Sequence, residues 1–434
     1  MRAFEGPLGS FQKLEVWKRT LFALWTAQFF TMLGMSMFLP FLPLYLRQLG
    51  VTDPGQLAFM SGLLFAAPFF AATVATPVWG VLGDRHGRKL MVVRASLGLA
   101  LATLLMGFAR TPSQLFLLRL AQGAVSGFIA AALALMASRA PSERMGYALG
   151  TLQTAIPTGT ILGPLIGGTL ADLIGYREIF FVTCAMNLFA ALLVIFLVPR
   201  DLPAPADAKT GRVIDNYRTV FGTRQFRILF FVLFGSQFAL MAIQPVMALY
   251  VEALGAGGRL LATTTGVIFA VTGVASAVAA PRWGRRGDRT GYRAVLGRAL
   301  TGAAVFALPQ GIVARAWQLF ALRIGYGAYV GGIVPAVQAM IGIRAPAERR
   351  AGIMGVTSTA LMLGNLTGPI IGGAVAGSFG LRSVFFLATA VLAALLVSLY
   401  PRMVEPERAE PGGSSGAPEG DAHAEEPVGA GGLS

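Results

Sequence analysis

The chain has 434 residues, 55% of them hydrophobic and only 13% charged, with a mean hydropathy of +0.67 and a net charge of +15. Soluble domains carry about 25% charged residues, so the composition excludes an ordinary water-soluble globule. The basic residues are scattered between apolar runs rather than gathered on one face, which fits membrane topology and excludes nucleic acid as the expected partner, and the single cysteine, Cys184, excludes an intrachain disulfide.

Windows of about 20 apolar residues, each long enough to cross a bilayer as a helix, recur along the chain. They predict an all-α membrane protein with twelve spans near 20–46, 57–82, 90–109, 113–137, 147–171, 176–198, 227–252, 261–284, 292–314, 317–341, 351–375 and 381–401. The organisation follows as a cytoplasmic N-terminus (1–19), a six-helix bundle (20–198), a central cytoplasmic loop (199–226), a second six-helix bundle (227–401) and a tail (402–434). The tail has almost nothing apolar to bury and is expected to be disordered. Orientation comes from Lys and Arg: with both termini inside, 26 fall in inner segments and 6 in outer loops. That bias predicts a multi-pass protein of the cell membrane with cytoplasmic ends.

The chain also repeats itself. WGVLGDRHGRK at 79–89 is echoed by WGRRGDRTGYR at 283–293, and LFLLRLAQGAVSG at 115–127 by LFALRIGYGAYVG at 319–331, each 204 residues on. RAPSER at 139–144 returns as RAPAER, and GTILGPLIGG at 159–168 as GNLTGPIIGG, each 205 residues on. Landmarks at one near-constant offset imply two parallel six-helix pseudo-repeats, a plan that places a transported solute at the midplane between the halves. Duplication within one chain makes a second copy unnecessary, so a monomer is expected.

Taken in chain order, the motifs carry distinct physics. Span one reads LGMSMFLPFLP, with Leu33 and Gly34 ahead of Pro40 and Pro43. The knot between spans two and three contains Gly83, Asp84, Arg85, Gly87, Arg88 and Lys89, and its echo keeps Asp288 but has Tyr292 where Arg88 stands. Glycines permit a tight connection, and the cations suit the inner surface and its anionic lipid headgroups. Arg119 sits inside span four, where a charge costs about 2.5–3.5 kcal/mol on insertion scales and should face a cavity or a partner; Gln122 lies on its face. A purely structural alternative has Arg119 bonded to the backbone of span one. In span five, Gly159, Gly163 and Gly167 make a groove for close helix approach, and Pro164 removes one helical hydrogen bond.

Together these motifs resemble those of the major facilitator superfamily, and within it the twelve-span drug:proton antiporters, over essentially the whole chain apart from its ends and central loop. The resemblance implies the facilitator fold. It also implies gating roles for Gly83, Asp84, Arg85, Gly87, Arg88, Lys89, Gly163, Pro164 and Asp288, with Asp84 docking on the start of span eleven near Ala351 and Gly352. Arg119 would take part in proton coupling. The span-five motif is associated with exporters.

Candidate cavity residues are Gln28, Met32 and Met35 in span one, Gln237, Met241 and Gln244 in span seven, and Gln122, Gln153, Tyr326 and Asn365. Methionine and aromatic surfaces adapt to varied apolar ligands. One departure from the antiporter pattern stands out: of 20 acidic residues none lies deep in a span, the nearest being Asp172, Glu178 and Glu252 at outer ends. Neutral or anionic amphiphiles are therefore expected to suit the cavity better than cations. The expected function is export of hydrophobic or amphipathic small molecules, multidrug efflux and hence antibiotic resistance, by proton antiport. An importer or facilitator for a sugar, metabolite or organic anion is the alternative, and a non-transporting membrane sensor the alternative of another class. With two histidines, no Cys/His cluster and no phosphate-binding Gly-Lys loop, neither an enzyme, a metal nor a cofactor is expected, the proton gradient being the energy source.

Overall fold

The computed structural model describes residues 15–199, 213–256, 258–346 and 349–406. Among them the chain forms twelve long helical rods. Ten are long and apolar enough on their own to cross a membrane, from Val16–Gln48 to Ser383–Arg402. The other two are span five, where Met145–Gln153 and Ala155–Ile174 meet end to end, and span nine, where Tyr292–Ala307 continues as a 3-10 turn to Gly311. Span nine thus stops earlier than its apolar run suggests, because Pro309 cannot donate into a regular helix. The stretch predicted as a loop at 199–226 contains the helix Val213–Gly222, with span seven starting at Arg224. The expected disorder of the tail falls outside the described residues beyond position 406.

Glycine and proline punctuate the rods. Gly87 (φ 92°) separates Pro54–His86 from Arg88–Gly107, and Gly291 (φ 88°) separates Leu261–Thr290 from Tyr292–Ala307. This left-handed conformation is open to glycine at no steric cost, which explains why both copies of the polar knot keep that glycine. Span four is broken between Pro112–Ala124 and Phe128–Ala137, with Gly127 at φ 111°; its mate Ala316–Arg344 runs unbroken.

The duplication is visible in individual hydrogen bonds. Trp79 Nε1 donates to Ala124 O at 2.6 Å, and Trp283 Nε1 to Ala328 O at 2.7 Å. Tyr45 Oη donates to Met106 O at 3.2 Å, and Tyr250 Oη to Gln310 O at 2.6 Å. Each partner differs from its mate by 204 or 205 positions, so the halves are two copies of one helical unit.

Candidate functional site: the cleft between the halves

The halves meet through spans two and eleven on one side and spans five and eight on the other. At the end away from the chain termini this contact is backbone against backbone. A Cβ placed on Gly62 would stand 2.2 Å from Pro369 O, and one on Gly266 would stand 2.1 Å from Pro164 O. Gly373 against Ala58 O and Gly168 against Ala262 O repeat the arrangement at 2.6 and 2.4 Å. Only glycine allows such approach, and close approach is where helices in a membrane gain their packing energy. Gly159, Gly163 and Gly167 serve span one instead: a Cβ on each would lie within 3 Å of Phe29 O, Ser36 Oγ and Met37 O respectively.

Polar groups reinforce the closed end. The Arg47 guanidinium and the Glu252 carboxylate form a two-pronged pair at 2.8 and 2.7 Å, joining span one to span seven. Asp172, at the end of span five, accepts from Ala262 N (3.1 Å), Thr263 N (2.7 Å) and Thr263 Oγ1 (2.6 Å). Those amides open span eight and have no intrahelical partner; the carboxylate caps them and faces the positive end of the helix dipole. Both acids were legible as residues at helix ends. Their partners across the interface were not.

Followed toward the terminus end, the same faces part. A Cβ on Gly80, Gly150, Gly284 or Gly355 would meet nothing within 4 Å, and Thr73, Thr76, Gln153 and Ser358 are exposed. The halves therefore enclose a cleft, sealed at one end and open at the other.

The predicted site residues distribute unevenly around it. Gln153 is exposed, and Met32, Met35, Gln237, Met241, Gln244 and Asn365 are half-buried. Gln237 Nε2 donates to Asn365 Oδ1 at 2.6 Å, joining spans seven and eleven. Gln28, Gln122 and Tyr326 are fully buried among helices in this conformation. Gln28 Nε2 reaches Leu152 O at 3.4 Å while its Oε1 has no partner. The two polar sets of spans one and seven are out of register. Tyr45 and Tyr250 align at an offset of 205, which pairs Met32 with Gln237. Gln237 thus stands one helical turn beyond the equivalent of Gln28, on the same helix face.

Arg119 is buried, and its surroundings follow from one proline. Pro68 in span two lacks an N–H, so Leu64 O four residues earlier has no helical donor. Arg119 Nε supplies it at 2.9 Å, and Nη1 donates to Gln122 Oε1 at 2.6 Å. Gly123 lets span four come close enough, a Cβ there standing 2.2 Å from Pro68 O. The guanidinium also lies 5.5 Å from the Phe38 ring centroid. The backbone partner is therefore span two rather than span one. Its mate Arg323 has no proline-freed carbonyl, because Thr272 stands at the Pro68 position; it donates to Met247 Sδ at 3.4 Å, and its guanidinium lies 5.6 Å from the Tyr326 ring centroid.

In the polar knot, Arg88 donates to Ala134 O at 3.0 Å, and Lys89 to Ile195 O and Val198 O at 2.8 and 2.5 Å. Both cations thus hold spans four and six of their own half. Arg85 is exposed and Gly83 buried. Asp288 accepts from Tyr292 Oη at 2.7 Å, an internal contact available because Tyr292 replaces the arginine. The Asp84 side chain and its expected dock at Ala351 lie outside the described residues; Gly352 packs beside Asn216 of the helix Val213–Gly222.

Comparison with known proteins bears on this architecture. The model of the Major Facilitator Superfamily matches residues 24–274 and 229–429. A multidrug resistance protein, MdtG of Proteus mirabilis (strain HI4320), is 36% identical over 393 residues, covering 90% of this chain and 98% of that one. MdtG of Citrobacter koseri is 39% identical over 380 residues, covering 87% and 93%. Among solved structures, a bacterial homolog of the human lysosomal transporter Spinster, in an inward-facing and unoccupied conformation, superposes with a TM-score of 0.74 at 14% identity, covering 89% of this chain and 96% of that one.

Proposed function

Since the chain belongs to the major facilitator superfamily, we propose that it exports hydrophobic or amphipathic small molecules, drugs among them, from the cytoplasm across the cell membrane in exchange for protons. The observation that carries this reading is the contrast between the two ends of one interface. Glycine faces that interlock at one end meet nothing at the other, the expected geometry of a rocking two-state element. The relatives' designation as multidrug resistance proteins supports drugs as the solute class. The excess of Lys and Arg on the terminus side supports placing the open end in the cytoplasm, so this conformation loads from within.

In the proposed cycle a solute enters between the splayed halves and contacts the half-buried Met32, Met35, Gln237, Met241, Gln244 and Asn365. The Gly62–Pro369 and Gly266–Pro164 contacts then separate, together with the Arg47–Glu252 pair and the Asp172 cap, while the faces at Gly80, Gly150, Gly284 and Gly355 close. On the closing side Asp84 and Asp288, in their glycine-rich knots, would latch the partner helices. Arg119 is assigned to proton coupling. Among the described residues Arg119 donates to Leu64 O and Gln122 Oε1 and meets no carboxylate, so its charge favours neutral or anionic amphiphiles in the cleft. The molecule works as a single copy.

The test is transport in proteoliposomes under an imposed pH gradient, with cationic, neutral and anionic fluorescent amphiphiles, comparing the native chain with Arg119→Ala and Asp84→Asn. Gradient-driven movement that is lost in Arg119→Ala is expected. Failure of the gradient to drive any amphiphile, while an uncoupled solute equilibrates, would overturn antiport in favour of an importer or facilitator.

A further inference from the structure

Span nine carries a charge that the transport cycle does not use. Arg298 lies six residues into Tyr292–Ala307, about 9 Å along the helix axis. It is nevertheless exposed, and among the described residues it has no hydrogen bond, ion pair or ring partner. Its mate in the first half, Arg94, behaves differently. That guanidinium lies 3.4 Å from the Trp79 ring centroid and donates to Ser126 O at 2.9 Å. The second half has the same tryptophan, but Tyr329 stands where the first half has Val125. Its ring sits 5.7 Å from Trp283 and 5.7 Å from Phe306, and Arg298 is left facing outward.

Beside it runs a groove of about 680 Å3 between spans eight, nine, ten and twelve, walled by Trp283, Phe306, Tyr329 and Tyr400 and flanked by Arg286 and Arg298. No carboxylate lines it. The two nearest in sequence are engaged elsewhere: Glu405 accepts from Tyr292 N and Arg293 N at the start of span nine, and Asp288 accepts from Tyr292 Oη. Two cations thus overlook an aromatic, apolar channel at the membrane depth where basic pockets between helices take lipid headgroups. A soluble anion would have to enter the bilayer to reach Arg298, whereas a lipid phosphate is already there, within reach of a long side chain extended toward the interface.

We propose that this groove is a binding site for an anionic phospholipid, with the phosphate held by Arg286 and Arg298 and an acyl chain lying along Val305 and Phe306. The purified full chain in detergent would be titrated with dioleoylphosphatidylglycerol or dioleoylphosphatidylcholine and followed by native mass spectrometry and thermal melting. The phosphatidylglycerol is expected to be retained selectively and to raise the melting temperature. Arg298→Gln and Arg286→Gln should each weaken retention about fivefold, from roughly one surface charge apiece. Thr301→Trp, which fills the groove and keeps both charges, should also lose the lipid. Both arginines are exposed, so unaltered melting without lipid will certify the fold of the glutamine variants. Equal retention by the double glutamine variant, equal binding of the zwitterionic lipid, or equal competition by soluble glycerol phosphate would each overturn the proposal.

Discussion

A methyl group added at the interlocked face should tip the balance between the two ends. In Gly266→Ala the new Cβ would stand 2.1 Å from Pro164 O and 2.9 Å from its carbonyl carbon. Carbon and oxygen pack at roughly 3.5 Å, so spans five and eight must draw apart by more than an ångström, and backbone cannot swing aside as a flexible side chain can. Overpacking of this kind costs about 1–3 kcal/mol. In the alternate conformation the two spans have separated and the methyl costs nothing. The population should therefore move about 5- to 150-fold toward the state sealed at the terminus end. Gly355→Ala supplies the opposite perturbation, since its Cβ meets nothing here and would be crowded only when the terminus end closes. The assay is labelling of a single cysteine placed at Thr263, in a Cys184→Ser background, by a membrane-impermeant maleimide in oriented vesicles. Labelling should rise in Gly266→Ala and fall in Gly355→Ala. Equal labelling in both, with the fold intact, would refute the reasoning that this interface sets the conformational balance.

Three further outcomes are expected. Arg47→Glu should increase labelling at the same position, while the double exchange Arg47→Glu with Glu252→Arg should restore it; the pair is partly exposed, so the coupling in a double-mutant cycle should be about 0.2–1 kcal/mol. Asp172→Ala leaves the first amides of span eight without their acceptor, and loss of such a cap costs about 0.5–2 kcal/mol, read as a lowered melting temperature together with greater accessibility at Thr263. Pro68→Ala returns a helical donor to Leu64 O and sets it against Arg119, so transport should fall without loss of folded protein in size-exclusion chromatography, and unchanged transport would show that the proline-freed carbonyl is not what positions the arginine.

Much of the architecture was legible because the signals that specify it are long. Apolar runs that span a bilayer, and landmarks such as Trp79 and Trp283 repeated at one offset, are insensitive to local detail, and the same hydrogen bonds recur at that offset in the structure. The contacts that define the cleft were less legible because they join residues distant in sequence. Nothing near Asp172 announces Thr263, and nothing near Arg119 names Leu64; the latter follows only once Pro68 is known to lie alongside. Glutamine and methionine recur at helical spacing in spans one and seven and so indicate a shared face, whereas the alignment of the two spans shows only in the matching hydrogen bonds of Tyr45 and Tyr250. Breaks in the rods depended on single glycines such as Gly127, which a hydrophobic pattern does not distinguish from its neighbours.

The Arg47–Glu252 pair has a consequence of its own. The two positions differ by 205, the offset of the duplication, so they are copies of one another brought face to face where the halves close. In a dimer of identical six-helix units, a residue at this place would meet its own twin. Arginine would face arginine, or glutamate would face glutamate, and closure would be opposed by like charge. A cation on one copy and an anion on the other is possible only when both copies belong to one chain and are free to differ. The attraction that seals the cleft is thus a property of the fusion, beyond the reach of either half assembled with itself.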